Sequence, residues 1–279
     1  MIPVLIKDII PCNNLIDFVQ KYRVFRFVFK ENVTPPEKYH YPRAEHCITF
    51  YLRDIQRFRF LDSTVICSFP RSVIVGMFNT PVIRYGGNDF LAIKVVLHPT
   101  ALYRLTGFPI QQLTNTFIDA EEVFGKDIRS VNEQLNQLDD LVDMLNIIQS
   151  FLIKKAALCA KPIHPIDKVA RSMLLLEDTA SLSWLADQSC LSVRQFIRKF
   201  ENSTGVSPKM FSRLIRFNNA FLMKNRCPNL DWMKIAIACG YYDYQHMVRD
   251  FNEFTQLSPP VYYQQEMKSP ERILGIYES

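Results

Sequence analysis

Two segments of this 279-residue chain repeat one another, and that repetition restricts the fold more than any other feature of the sequence. The first is LADQSCLSVRQFIRKFENSTGVSPKMF (185–211) and the second IAIACGYYDYQHMVRDFNEFTQLSPPVYY (235–263). Leu185-Ala186 matches Ile235-Ala236 fifty positions on. After one extra residue the offset becomes 51, pairing Ser192 with Asp243, Phe196 with Met247, Arg198 with Arg249 and Phe200 with Phe251. Ser207-Pro208 then pairs with Ser258-Pro259, and Phe211 with Tyr262. In each copy a short helix carries an alanine (Ala186, Ala236) that lets a neighbouring helix approach. A tight turn follows, served by Gly240 in the second copy. Ser192 or Asp243 then caps a new helix by accepting from free amides of its first turn. Phe196 and Phe200, or Met247 and Phe251, lie four apart and face inward. This is the helix-turn-helix pattern, whose second helix enters the major groove of DNA.

The outward faces carry the candidate base-edge contacts. They are Arg194, Gln195, Ile197 and Arg198 in the first unit, and Tyr244, Gln245, His246 and Arg249 in the second. Between 192 and 226 stand eight basic residues and one acid, a local charge of +7 in a chain whose formal net charge is +5. Phosphate neutralisation scales with such charge, so Lys199, Lys209, Arg213 and Arg216 are candidate phosphate contacts and double-stranded DNA the expected partner. Two units joined by a long helix over 208–225 imitate a repressor dimer within one chain. Alternatively, one unit reads bases while the other rests on phosphates.

At these residues the sequence resembles the AraC/XylS family of bacterial transcription regulators. The resemblance covers the last hundred or so residues. It rests on Leu185-Ala186, the helix from Ser192 to Phe200, Gly205-Val206-Ser207-Pro208, Cys239-Gly240-Tyr241-Tyr242-Asp243, Arg249-Asp250-Phe251 and Ser258-Pro259. One departure is Gln256, where the family usually ends the recognition helix with glycine; glutamine tolerates left-handed backbone poorly, so a different helix end is expected there. The resemblance implies a sequence-specific DNA-binding activator or repressor whose N-terminal domain senses a ligand or dimerises, with RNA polymerase as a further partner of an activator. By residue match it puts the family's base contacts on Arg194, Ile197 and Arg198, and on Tyr244, Gln245, His246 and Arg249. A weaker resemblance links the N-terminal half to a sensor domain of one branch of the family, through the strands near 48–54, 75–76 and 92–100; it names no effector.

Before about residue 110 the apolar runs are short and rich in β-branched and aromatic residues: 47–52, 58–61, 64–69, 72–78, 81–85 and 90–97. Turn formers separate them, as expected of an antiparallel sheet or barrel. A short helix is expected over 99–107. From 119 to 157 Leu135, Leu138, Leu141, Val142, Leu145, Ile148, Phe151 and Leu152 recur at helical spacing, which suits a helical hairpin docked on the sheet with part of its stripe left for a second copy. The proline-bearing stretch 159–165 reads as a linker. Helices are then expected over 166–177, 183–188, 192–204, 208–225, 231–239, 243–254 and 260–266. The fold class is therefore α+β with two domains: a β-rich sensor or dimerisation domain over 1–158, a double helix-turn-helix domain over 166–268, and a tail over 269–279.

Tyr39, Tyr41, Phe50, Tyr51, Phe58 and Phe60 are candidates for a small-molecule pocket, against the plainer reading that they fill the sheet's core. An N-terminal half that only dimerises, independent of ligand, remains a second reading, and an enzyme fused to a DNA-binding domain a third. His40, His46, His98 and His164 show no metal spacing. No nucleophile or phosphate-loop motif occurs, and Gly86-Gly87 reads as a hairpin turn. No cofactor, metal or catalytic residue is expected. Seven cysteines without CxxC spacing read as thiols of a reducing cytoplasm. No apolar run approaches a membrane span, and no signal peptide is read at the start.

Overall fold

The computed structural model describes residues 4–159, 163–175 and 180–276. Ten strands come first: β1 (Leu5–Ile9), β2 (Val19–Val28), β3 (Lys38–His40), β4 (His46–Tyr51), β5 (Arg57–Phe60), β6 (Cys67–Ser68), β7 (Ser72–Val75), β8 (Val82–Tyr85), β9 (Asp89–Leu97) and, after helix α1 (Ala101–Thr106), β10 (Phe117–Asp119). They form two antiparallel sheets, of order β1-β2-β9-β4-β7-β10 and β3-β8-β5-β6. Helices α2 (Ala120–Phe124), α3 (Lys126–Leu135) and α4 (Leu141–Ala157) complete the β-rich domain.

Strands β4 and β9 are buried on both faces, so their sequences run apolar without alternation. Ile48, Phe50, Ile93 and Val95 enter a core shared with α3 and α4. Cys47, Tyr51, Phe90 and Ala92 face the smaller sheet, where Phe58, Phe69 and Phe78 form a second core. Most of the helical stripe is consumed in the first of these. Leu135, Leu145, Ile148, Phe151 and Leu152 are buried, Leu138 and Leu141 pack against them, and Val142 stands 62 % exposed.

Four strands depart from expectation. The apolar runs do not reveal β1, β3, β10 or the ten-residue β2, which lies inside the large sheet between β1 and β9. Lys21, Arg23 and Arg26 interrupt the apolar pattern of β2, yet their charges are met: Asp8 receives Lys21 and Arg23 at 2.7 and 2.6 Å, and Asp89 pairs with Arg26. The run at 64–69 shortens to the two residues of β6.

The helical region comprises α5 (Pro165–Met173), α6 (Leu182–Gln188), α7 (Val193–Thr204), α8 (Pro208–Arg226), α9 (Trp232–Ala238), α10 (Tyr244–Thr255), α11 (Pro259–Glu266) and α12 (Pro270–Ile273). Of the expected linker, residues 160–162 lie outside the described residues and Pro165 already opens α5; the helix expected over 166–177 ends earlier, at Met173, and residues 176–177 lie outside the described residues. The stretch read as a tail contains α12, whose following residues Leu274 and Ile276 pack against the second β-domain core.

The two domains meet along several polar contacts. Lys38 of β3 pairs with Glu266 of α11 and Glu271 of α12, both buried. The Thr114 hydroxyl donates to the Gly205 carbonyl at 2.9 Å. His46 places Nδ1 3.1 Å from the Pro99 carbonyl and Nε2 3.0 Å from that of Thr204, at the end of α7. No helix among the described residues is long and apolar enough to cross a membrane.

Candidate nucleic-acid interface

The repeat in the sequence is a repeat in atoms. In the first copy the Leu191 amide donates to the Ala186 carbonyl, and in the second Tyr241 donates to Ala236, each at 3.0 Å. Ser192 caps α7 in a reciprocal box with Gln195, and Asp243 caps α10 by accepting from the His246 amide. The Thr204 hydroxyl lies 2.8 Å from the Phe200 carbonyl and 3.0 Å from that of Val206. Thr255 repeats this with Phe251 and Leu257 at 2.7 and 3.1 Å.

Each unit has its own core: Phe196, Phe200 and Phe211 with Leu185 and Ala186 in one, Met247, Phe251 and Phe254 with Ile235 and Ala236 in the other. Burying each phenylalanine contributes about 1.5–3 kcal/mol relative to leaving it exposed. Helix α8 serves both cores, giving Phe211 and Ile215 to the first and Leu214, Phe217 and Phe221 to the second.

Two turn positions in each copy need left-handed backbone. At the first stand Cys190 (φ 53°) and Gly240 (φ 75°); at the second stand Gly205 (φ 81°) and Gln256 (φ 61°). Thus α10 ends as α7 does, contrary to the expectation that Gln256 ends it differently, and the Gln256 amide donates to the Asn252 carbonyl. Glycine is favoured at 205 for a second reason. A Cβ there would sit 3.0 Å from both the Ile110 carbonyl and the Thr114 hydroxyl of the β-rich domain. Gln256 bears the backbone cost alone, so Gln256→Gly is expected to stabilise the protein by about 0.5–1 kcal/mol, the left-handed penalty less the added chain entropy. Urea denaturation checks this, and an unchanged or lowered midpoint contradicts it.

On the outward faces Arg194, Gln195 and Arg198 of α7 are exposed, and Ile197 is half-buried beside them. Gln195 also turns its Oε1 back to accept from the Ser192 amide at 3.2 Å. On α10, Gln245 and Arg249 are exposed while Tyr244 and His246 are half-buried. The His246 ring meets Tyr241 edge-on, centroids 5.3 Å apart. Lys199 and Lys209 project into solvent. Arg213 and Arg216 do not: both turn toward Asp250 of α10, which is 2 % exposed. A groove of about 800 Å³ separates the units and is lined by residues of both, among them Ile197, Arg213, His246 and Arg249.

The six aromatic candidates of the β-rich domain diverge. Only Tyr51 lines the cavity of about 90 Å³ that opens between the sheets; Phe25, Phe27 and Phe90 supply its other rings. Phe58 packs with Phe69 and Phe60 in the core beside it. Phe50 points to the opposite core. Tyr39 and Tyr41 stack at the domain junction, Tyr41 meeting Tyr262 at 4.3 Å. The cavity's polar wall includes Lys38, His40, Arg43, Arg84, Lys94 and Glu271. Burial, with the cations Arg84, Lys94, Arg43 and Lys38 adding to it, drives His40 well below its usual range and keeps it neutral. Lys94 pairs with Glu45, but Arg84 has a buried Nε without a hydrogen-bond partner and lies 5.7 Å from the Phe69 ring. Sequence reasoning missed Arg84 because nothing in the local pattern distinguishes it from a surface arginine.

Two capped, separately cored helix-turn-helix units on one shared helix define a tandem DNA-binding domain. Comparison with known proteins agrees: residues 185–265 match the helix-turn-helix domain family. This is the AraC type of that domain, in keeping with the resemblance that the residues of the two units carry. An uncharacterised HTH-type transcriptional regulator of Haemophilus influenzae is 26 % identical over 156 residues, which is 55 % of this chain and 52 % of that protein. The match thus spans about half the length of that relative. Among solved structures, ToxT of Vibrio cholerae aligns over 88 % of this chain and 96 % of its own at 11 % identity and a TM-score of 0.46. The DNA-binding domain of AdpA, solved with a target DNA, aligns over 38 % of this chain and 95 % of its own at 22 % identity and a TM-score of 0.35.

Proposed function

We propose that the protein is a sequence-specific DNA-binding regulator of transcription whose β-rich domain holds a small effector. The observation that carries the first part is the repeat itself: two recognition helices, each capped, cored and presenting unburied hydrogen-bonding side chains. Arginine matches the N7 and O6 acceptors of guanine, glutamine matches adenine, and an apolar side chain meets the thymine methyl. Arg194, Arg198 and Arg249 are assigned the first role, Gln245 the second and Ile197 the third, with Tyr244 and His246 flanking. Gln195 contributes through its amide nitrogen, since its oxygen closes the capping box. Lys199 and Lys209 meet phosphates; Arg213 and Arg216 are engaged elsewhere.

Selection from a random duplex library with the full chain tests this reading. The expected result is an enriched motif with two conserved blocks, one for each unit. Enrichment no better than non-specific binding overturns it.

For the effector, the supporting observation is Arg84. An arginine with a buried, unpartnered Nε beside aromatic rings suits a compact carboxylate with an apolar body, because the guanidinium matches carboxylate geometry and the rings accept the rest. Benzoate is expected to raise the thermal midpoint of the full chain and benzamide to leave it unchanged, with the shift lost in Arg84→Gln. An equal response to both compounds, or a shift that survives in Arg84→Gln, rejects the assignment.

A further inference from the structure

One buried polar assembly of the helical domain is not used directly in DNA reading. Arg213, on α8, directs Nε and Nη2 at the same oxygen of Asp250, Oδ1, at 2.9 and 2.8 Å. Its Nη1 reaches Oε1 of Glu253 at 3.0 Å, and Nη2 also meets the other oxygen of that carboxylate. Arg216, one turn further along, approaches Oδ2 of Asp250 at 3.9 Å. Both guanidinium groups are held from behind by rings of the second unit: Arg213 lies 5.0 Å from the Phe254 centroid and Arg216 5.2 Å from that of Tyr241. The pairing with the two carboxylates holds Arg213 charged more firmly than an ordinary arginine.

This assembly is not part of the repeat. The position equivalent to Asp250 in the first unit is Lys199, which is exposed and has Nζ 3.4 Å from Nε2 of His164. Among the described residues the first unit is joined to α8 by apolar packing, through Phe211 and Ile215. The second unit packs on α8 through Leu214, Phe217 and Phe221 and adds the charged clasp. Apolar contacts are non-directional and tolerate a helix sliding or turning by a fraction of a residue. A buried carboxylate held by a planar guanidinium fork has one geometry, and a buried ion pair is poorly explained as a source of stability, since desolvation consumes most of its attraction. Its best-attested use is to specify register.

We propose that Asp250 is the positioning residue that fixes the phase between the two recognition helices, and so the number of base pairs between the two DNA blocks the chain accepts. Asp250 sits next to Arg249 in the chain, so the clasp that pins one holds the helix bearing the other. Arg213 and Arg216 line the groove between the units with Ile197 and Arg249, so the rotation the clasp sets is the angle between the two reading faces. The pairing also explains why two arginines of the most basic stretch of the chain turn away from solvent. The inference rests on the reading that both units engage DNA together.

The test uses the full chain and its selected operator, in a series where the spacing between blocks is changed by one or two base pairs. The wild type is expected to lose about tenfold or more in affinity when one base pair is added or removed, comparable with a mismatched contact. Asp250→Asn keeps the shape and removes the charge; Arg213→Lys keeps the charge and removes the fork. In each variant the preference within each block is expected to persist while the spacing penalty falls to about threefold or less, a loss of register rather than of contacts. If either variant is folded by circular dichroism and retains the wild-type spacing penalty, the inference fails. It fails equally if affinity drops by one factor at every spacing, or if the wild type binds the operator and ignores spacing. Absence of any selectable operator instead removes the underlying reading, which separates the two failures.

Discussion

Arg198→Ala is expected to weaken binding to the selected operator about 5–150-fold, or about 1–3 kcal/mol, and to erase the preference at one base position. The expectation follows from where the residue stands. Phe196 and Phe200 turn one side of α7 into the core, fully buried. Arg198 lies between them in sequence on the exposed side, in a helix whose N-terminus is capped and whose C-terminus is tied to the β-rich domain. The side chain therefore meets DNA from a rigid platform, and removing it deletes contacts without disturbing the fold. Lys209→Ala supplies the contrast. An exposed lysine at the start of α8 should act on phosphates, so its loss should weaken all sequences evenly and flatten the salt dependence by about one unit of slope. Competition binding at several salt concentrations measures both. If Arg198→Ala leaves the base preferences intact, the assignment of α7 as a reader is wrong.

The parts of this protein legible in its sequence are those set by neighbours along the chain. The caps Ser192 and Asp243, the inward pairs Phe196–Phe200 and Met247–Phe251, and the Ser-Pro starts of α8 and α11 all act within a few residues, and the structure places each where the pattern puts it. What the sequence hides is set by distant partners. Arg213 and Arg216 read as DNA-facing cations because Asp250, the group that turns them inward, lies 37 and 34 residues away. Strand β2 is obscured for the same reason: its arginines break the apolar run, and Asp8 and Asp89, on other strands, help make them compatible with the sheet interior.

The aromatic residues of the N-terminal half teach a related lesson. Phe50 and Tyr51 are adjacent and similar, yet one fills the core under α4 and the other lines the cavity, because successive strand residues point to opposite faces. Residue type alone does not separate them. The parity of β4 does, once its register against β9 is fixed, with Phe50 opposite Ile93 and Tyr51 opposite Ala92. The cavity's charged wall was still harder to foresee, since Lys38, Arg84 and Glu271 come from β3, β8 and α12 and converge only in the folded chain.

Acidification offers the second large effect, through the histidine that joins the two domains. His46 is fully buried, and burial lowers its pKa from 6.5 to about 4 despite the two carbonyl groups, of Thr204 and Pro99, that favour the charged ring. Above pH 6.5 the ring is neutral folded or unfolded and contributes no pH dependence. As pH falls through 6.5 the unfolded chain takes up a proton that the folded chain refuses, so stability falls until about pH 4, where the folded ring also charges. A shift of this size corresponds to a loss of about 3 kcal/mol over that window. His98, lowered to about 4 chiefly by its own burial, and His40 act in the same direction, so the total slope exceeds the share of His46. His46→Gln isolates that share. Its amide can still donate to one carbonyl, and the titrating group is gone. Urea denaturation of the full chain at pH 7.5 and at pH 5 is expected to show a smaller pH-dependent loss in the variant than in the wild type. His46→Ala should in addition cost about 2–4 kcal/mol at pH 7.5, because it leaves a cavity and removes the ring N–H that donates to one of the two flanking carbonyls. An unchanged pH slope in His46→Gln would mean that the ring is charged, or exposed, in the folded protein, and that the contact between the β-rich domain and the first recognition helix is not governed by its proton.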